Sequence, residues 1–175
     1  MRQNLTSELL HKFIRTLVDS CSTPARVYLV GGASAVLLGW RVSTIDLDLK
    51  IIPETDEILR ALPKLKEQLH LNIETAAPDD FIPELPGWRE RSRFIEQAGK
   101  LTFLHYDFYA QALAKIERGH EIDLKDVSEM ISRDLVQPNR LLEFYNAIKD
   151  QFYRYPAIDS TSFGRAVQTV IDEFS

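Results

Sequence analysis

Apolar residues along the first third of the chain follow two different periods. Between Leu9 and Val18 they recur every three or four residues, which predicts an amphipathic helix with Thr6 or Ser7 as its cap. Over residues 45–51 they alternate strictly with charged residues, which predicts a strand with one apolar and one charged face. The elements predicted here are a helix at 9–18, a strand at 27–30, a short helix at 33–38 ended by Gly39, and a strand at 45–51.

The rest of the chain predicts another helix and strand, then a hairpin and a helical tail. Leucine and isoleucine spacing over 58–69 indicates a helix, which Pro63 is expected to kink or break. Residues 71–75 alternate as a strand, and three prolines with a glycine in residues 76–88 predict a long loop. The remaining elements are a hairpin that turns at 98–100 and helices at 107–118, 123–132, 138–152 and 160–174.

This order of elements predicts an α/β (α+β) fold with a mixed sheet flanked by helices. We expect residues 1–106 to form the sheet core with its N-terminal helix. Residues 107–175 are expected to form a helical C-terminal subdomain of the same compact unit. A chain of 175 residues is long enough to bury such a core without disulfides or metals.

Composition narrows the functional classes. The net charge is 21 − 26 = −5, which argues against coating of nucleic acid by bulk charge but leaves room for a local basic groove. The single cysteine, Cys21, excludes an internal disulfide framework and a cysteine-based zinc site. No apolar run approaches the ~20 residues of a membrane span, and the first residues lead into an amphipathic segment. We therefore expect a cytoplasmic protein with no membrane partner.

Chemistry is concentrated on the charged face of the strand at 45–51, where Asp46 and Asp48 stand two positions apart. Such residues point to one face with Cα atoms about 6.6 Å apart. Two carboxylates placed this way can converge on a pair of divalent cations, as phosphoryl transfer requires. Few protein carboxylates suffice for magnesium, because it prefers hard oxygen ligands and keeps several waters.

A third catalytic and metal-binding carboxylate is predicted on the next strand. The alternation of residues 71–75 turns Leu71 and Ile73 inward and Asn72 and Glu74 outward, which makes Glu74 the candidate. Asp79 and Asp80 follow in the predicted loop and stay open as alternatives.

Gly31 and Gly32 predict a turn whose backbone can approach a phosphate closely. The helix that follows adds free N–H groups and the positive end of its dipole. Each feature is weak alone, because an isolated Asp-x-Asp is commonly a solvent-facing strand and Gly-Gly is commonly a plain turn. The ordered set is more specific, since thirteen residues separate Gly32 from Asp46 between an apolar strand and an alternating one.

With these residues in order, the chain resembles the DNA polymerase beta-like nucleotidyltransferase superfamily. Within it, the chain looks closest to small bacterial nucleotidyltransferase-like proteins related to abortive-infection and toxin–antitoxin toxins. The signature is a glycine pair after a strand, a short helix and an Asp-x-Asp strand. A second patch, Lys115 followed by Asp123 and Asp126, is similar to their downstream Lys/Arg and Asp-x-x-Asp helical segment. The resemblance covers about residues 25–130 and implies a nucleotidyltransferase-type mixed sheet.

The resemblance also implies roles at the matching positions. Asp46 and Asp48 would hold Mg²⁺ or Mn²⁺, and Gly31, Gly32 and Ser34 would contact the nucleotide phosphates. Lys115 would help neutralise the triphosphate, and Asp123 or Asp126 would position the site or bind substrate. The implied reaction is transfer of a nucleotidyl group from an NTP to an RNA or tRNA end, or to a protein. A cognate antitoxin or toxin is an implied partner.

Other readings remain open. The fold could be a catalytically degenerate module that binds a nucleotide or a partner, which metal titration with NTP would reveal. It could also be a small structural protein whose acidic strand faces water, in which case no NTP would shift its melting temperature. The residues Trp88, Arg89, Arg91, Arg93 and Lys100 could track an RNA backbone, although Trp88 packed over the core is the plainer interpretation.

Overall fold

The computed structural model describes residues 1–175 and contains two compact units. The first unit comprises residues 1–77 and 93–105, and the second comprises residues 78–92 and 106–175. The division predicted at residue 106 stays a prediction; residues 78–92 group with the helical unit, although residues 93–105 of the sheet follow them in the chain. A side chain of residues 78–92 packs on the helical unit: Trp88 stacks on Tyr106, with 4.4 Å between the ring centroids.

The first unit is built on a mixed five-stranded sheet, as the α/β (α+β) prediction requires. The elements of this unit are β1 (Leu5–Thr6), α1 (Ser7–Asp19), β2 (Ala25–Val30), α2 (Gly32–Leu38), β3 (Ser43–Thr44), β4 (Asp46–Ile52), α3 (Asp56–Gln68), β5 (Asn72–Glu74), β6 (Arg93–Ala98) and β7 (Leu101–His105). The strand order of the five-stranded sheet is β5-β4-β2-β7-β6, and a separate two-stranded sheet pairs β1 with β3. Strand β2 runs antiparallel to β4 and parallel to β7, while β4 runs parallel to β5.

Hydrophobic alternation fixes which face of the sheet is buried. In β4 the apolar residues Leu47, Leu49 and Ile51 are buried, while the charged residues between them are only half-buried. The buried face packs with Phe13 and Leu17 of α1 in one hydrophobic core. Full burial of a side chain of this size contributes about 1.5–3 kcal/mol. The charged face of β4 therefore points away from this core.

Helix α1 begins where the sequence predicts, because the Thr6 side chain accepts a hydrogen bond from the Leu9 amide. A break at Pro63 is wrong, since α3 continues through it; a kink there stays a prediction. Pro63 is exposed, so water can solvate the carbonyl that loses its partner. The buried residues Ile58, Leu62 and Leu65 keep the apolar stripe in register across it.

The second unit is helical. The region 76–88, predicted as a long loop, contains a short 3₁₀ helix (Pro78–Asp80) and the first residue of α4 (Trp88–Arg91). The helix predicted at 138–152 ends at Ile148 and continues as a 3₁₀ helix (Lys149–Arg154). The other helices are α5 (Phe108–Arg118), α6 (Glu121–Ser132), α7 (Pro138–Ile148) and α8 (Ser160–Phe174). None of the helices is both long and apolar enough to cross a membrane.

Candidate active site

The polar face of β4 presents the two predicted aspartates. Asp46 and Asp48 are half-buried and alternate with the buried Leu47 and Leu49, so both carboxylates project to one side of the sheet. In the parallel pairing with β5, Asp46 lies opposite Asn72 and Asp48 lies opposite Glu74. These four residues share that face.

The glycine turn lies beside one of these carboxylates. Gly31 joins β2 to α2 with a φ of 61°, in the left-handed region that favours glycine. A Cβ atom at Gly31 would lie 3.8 Å from Oδ2 of Asp48. The chain reverses here, since Val30 pairs with Asp48 across β2 and β4. The structure therefore brings the turn and Asp48 together.

Thr44, which the sequence interpretation missed, packs against the second glycine. A Cβ atom at Gly32 would lie only 2.1 Å from Oγ1 of Thr44, so no larger residue fits here without movement. Thr44 lies in β3, where Leu5 of β1 is its register partner. Nothing in the hydrophobic pattern marks Thr44, because its contact with Gly32 depends on how α2 packs against β3.

Asn72 connects two acids of the site. Its side-chain Nδ2 donates to Oδ1 of Asp46 at 2.5 Å and to Oε1 of Glu74 at 3.0 Å. Glu74 is exposed at the edge of the sheet, as its predicted outward orientation requires. The alternation of this strand placed Asn72 on the polar face, but the sequence could not show which acids it contacts.

The carboxylates of Asp46 and Asp48 are suitable ligands for a magnesium ion. Magnesium is usually bound through one or two carboxylates together with substrate phosphates and water. Asp46 and Asp48 supply such carboxylates, and Asp48 lies beside the turn at Gly31. A cage of three acids is absent: no group of three His, Cys, Asp or Glu side chains is arranged to hold a metal ion. A role for Glu74 as the third carboxylate stays a prediction.

Ser34, which we expected to contact phosphate, is fully buried in α2. Its Oγ lies 2.8 Å from Nδ1 of His105 and 3.4 Å from the carbonyl of Leu29, to which it donates. Burial, with a smaller contribution from the positive charge of Arg93, lowers the pKa of His105 to about 4. The pair ties α2 to β2 and β7, and a phosphate contact by Ser34 stays a prediction.

The second unit contains the other predicted site residues in a buried ionic cluster. Nζ of Lys115 in α5 lies 2.8 Å from Oδ2 of Asp126 and 3.7 Å from Oδ1 of Asp123, both in α6. Arg118 donates two hydrogen bonds to Asp123. Burial alone would raise the pKa of Asp123, but the hydrogen bond and charge of Arg118, with Lys115, outweigh it and lower that pKa.

Lys115, Asp123 and Asp126 are thus brought together, as the second motif suggests, and all three are buried. The Lys115 ammonium already has carboxylate partners, so the cluster joins α5 to α6. Roles in neutralising a triphosphate or positioning substrate stay predictions for these residues.

The aromatic residue of the proposed RNA-tracking cluster packs inside the helical unit. Trp88 is 2% exposed, stacks on Tyr106 with an interplanar angle of 6°, and donates from Nε1 to Glu84. Arg91 pairs with Asp107 at 2.7 Å. Trp88 is therefore a packing residue rather than a platform for stacked bases.

A mixed sheet flanked by helices, with a glycine turn after β2 and two aspartates on the neighbouring strand β4, is consistent with a nucleotidyltransferase-like α+β fold. A family model described as "Nucleotidyltransferase of unknown function (DUF6036)" matches residues 8–172. The chain belongs to this family. Comparisons with curated proteins and with solved structures gave no match.

Proposed function

We propose that this protein is a Mg²⁺- or Mn²⁺-dependent nucleotidyltransferase that moves a nucleotidyl group from an NTP to an acceptor hydroxyl. The observation that carries the proposal is the Asp48 carboxylate beside Gly31, in a turn without a side chain. Membership of a nucleotidyltransferase family across residues 8–172 supports it. The acceptor classes that we propose are an RNA or tRNA end, or a protein.

The chain's own residues would bind and orient the reactants. Gly31 leaves space for the triphosphate to lie against the turn next to Asp48, and Asp46 adds a second hard oxygen donor on the same face. Bound magnesium would supply positive charge that steadies the leaving oxygens and lowers the pKa of the acceptor hydroxyl. The acceptor oxygen would form a bond to the α-phosphorus as the bond to pyrophosphate breaks.

Transfer of label tests this directly. The protein is incubated with each NTP labelled at the α-phosphate, with MgCl₂ or MnCl₂, and with total RNA or host protein as acceptor. We expect transfer by the wild type and a loss of at least about 100-fold in Asp46→Asn and Asp48→Asn, or about 2.7 kcal/mol of transition-state stabilisation. Asp150→Asn, an exposed acid in the helical unit, is the matched control and should keep full activity. Undiminished transfer by both site variants would refute the assignment.

A toxin-type role is the finer proposal, supported by the resemblance of the two motifs to toxin-related nucleotidyltransferases. Induced expression of the wild type in a bacterial host should then slow growth, while Asp48→Asn expressed at the same level should not. Equal growth of the two strains would contradict a toxin role without touching the transferase proposal.

A catalytically degenerate binding module is the second candidate. It is favoured by the absence of a three-acid metal cluster and by the internal partners of Lys115. Such a module would bind a nucleotide or a protein partner, such as a cognate antitoxin, and transfer no label. Titration with Mn²⁺ and NTP separates the candidates, because a catalytic protein should bind both together and a degenerate one should bind the nucleotide alone or neither.

A further inference from the structure

Asn72 occupies the space between two carboxylates. Because β4 and β5 are parallel with Asp46 opposite Asn72, the amide is next to Asp46 across the strands and two residues before Glu74 on its own strand. One nitrogen, Nδ2, lies 2.5 Å from Asp46 Oδ1 and 3.0 Å from Glu74 Oε1. Two oxygens that each carry negative charge are therefore drawn toward the same donor.

The Asn72 amide reduces the repulsion between the Asp46 and Glu74 carboxylates, as a cation bound between them would. Carboxylates held close together repel one another unless a donor or a positive charge lies between them. The Asn72 amide supplies two N–H bonds without supplying charge. It also carries a carbonyl oxygen on the same carbon, and amide oxygens are hard ligands that suit magnesium and manganese.

We infer that Asn72 is a metal-positioning residue of this site: its amide holds Asp46 and Glu74 together and provides an oxygen ligand when a divalent cation enters. The inference rests on the proposed function in requiring such a cation. A turn of the amide about the Cβ–Cγ bond exchanges nitrogen for oxygen, and this sp³–sp² torsion has a broad, shallow preference. Asn72 then supplies the oxygen that a third carboxylate would supply in a three-acid site.

A purely structural role for Asn72 predicts different behaviour. An amide that only ties an edge strand would affect stability equally with and without metal, and its removal would leave metal affinity unchanged. If the amide positions the metal, its removal changes both stability and metal affinity. The same side chain donates to the acids in the free protein and binds the ion in the metal-bound protein.

The experiment measures binding of MnCl₂ alone by isothermal titration and by the electron paramagnetic resonance signal of free Mn²⁺, together with melting temperatures. Asn72→Leu keeps the branching at Cγ and removes both donor and ligand, and we expect at least about tenfold weaker Mn²⁺ binding. Asn72→Asp keeps the size and adds a carboxylate. We expect it to melt below the wild type without metal and to gain more from Mn²⁺ than the wild type gains.

Asn139→Leu and Asn139→Asp, which make the same changes at an exposed residue of α7, are the controls and should bind Mn²⁺ as the wild type does. Unchanged Mn²⁺ affinity in Asn72→Leu, or a larger effect of metal on the wild type than on Asn72→Asp, would overturn the inference. Label transfer by the wild type together with either result would leave the proposed function standing. A wild type that binds no Mn²⁺ and transfers no label would end both.

Discussion

Burial of a single imidazole makes the stability of this protein depend on pH. His105 is 6% exposed and faces Ser34, while Arg93 is its register partner on the neighbouring strand. Desolvation, and then the Arg93 charge, disfavour the protonated form and lower the pKa to about 4. Between this value and the unfolded value near 6.5, the unfolded chain binds the extra proton.

The free energy of unfolding should therefore fall as the pH is lowered from about 6.5 to 4, with a loss on the order of 3 kcal/mol from this residue. Urea unfolding at pH 7.5 and 4.5 measures the effect. His105→Gln should lose this part of the pH dependence, while His11→Gln, at an exposed position, should keep it. An unchanged pH profile in His105→Gln would show that another group is responsible.

Position 32 requires glycine because the Thr44 side chain leaves no room for a Cβ atom, and not because of its φ angle. In Gly32→Ala the new Cβ would meet Oγ1 of Thr44 at 2.1 Å and its Cβ at 2.6 Å. We expect a loss of roughly 1–3 kcal/mol from overpacking. Thermal or urea unfolding of a double-mutant cycle with Thr44→Gly should give a coupling energy of at least about 1 kcal/mol. Additive effects would mean that the two residues are not in contact.

Two helices of the second unit are joined by charge. Lys115 of α5 and Asp126 of α6 are both almost fully buried and lie 2.8 Å apart. Removal of one partner from such a pair strands the other charge in a poorly solvated position. Replacement of both by apolar residues avoids that penalty.

We expect Lys115→Met to destabilise the protein by about 3–5 kcal/mol, and Lys115→Met with Asp126→Leu to recover part of that loss. Lys125→Met breaks the exposed pair with Glu121 and should change stability by less than about 1 kcal/mol. Chemical denaturation of the three variants gives these values. A Lys115→Met protein as stable as the Lys125→Met control would contradict this account of the cluster.

Elements whose periodicity is strong were predictable from the sequence. The stripe of α1 and the alternation of β4 recur in the structure because each buries one face on one core. The break predicted at Pro63 was wrong, because the apolar residues on either side of this proline outweigh its local preference to end a helix. Strand order was not predictable, because it depends on pairing between residues far apart in the chain.

The same limit applies to the site. Asp46, Asp48 and Gly31 could be singled out because their spacing is local, and the structure brings Asp48 and Gly31 together. Thr44 and Asn72 could not, since the contact of Thr44 comes from packing of α2 against β3 and the contacts of Asn72 come from β4–β5 pairing. The burial of Ser34 and the internal partners of Lys115 likewise depend on tertiary packing.

At the scale of the whole molecule, ligand binding should be visible as a change in melting temperature. A nucleotide with Mn²⁺ present at 100 times its dissociation constant adds about 2.7 kcal/mol to the folded state. For a chain of this length we expect a rise of roughly 5–10 °C. Differential scanning calorimetry of the wild type should show the rise, and Asp48→Asn should show little of it. An equal rise in the two proteins would mean that the nucleotide binds elsewhere.

Residues 78–92 belong to the helical unit, and this affects the design of fragments of the protein. A fragment that stops at residue 105 would carry Trp88 without the ring of Tyr106 and Arg91 without the carboxylate of Asp107. The Trp88 indole, which is buried in the intact protein, would then be exposed to water. Its fluorescence would shift to longer wavelength, and the fragment would tend to aggregate. A fragment of the sheet unit should therefore contain residues 1–77 and 93–105, joined by a short glycine–serine linker in place of residues 78–92.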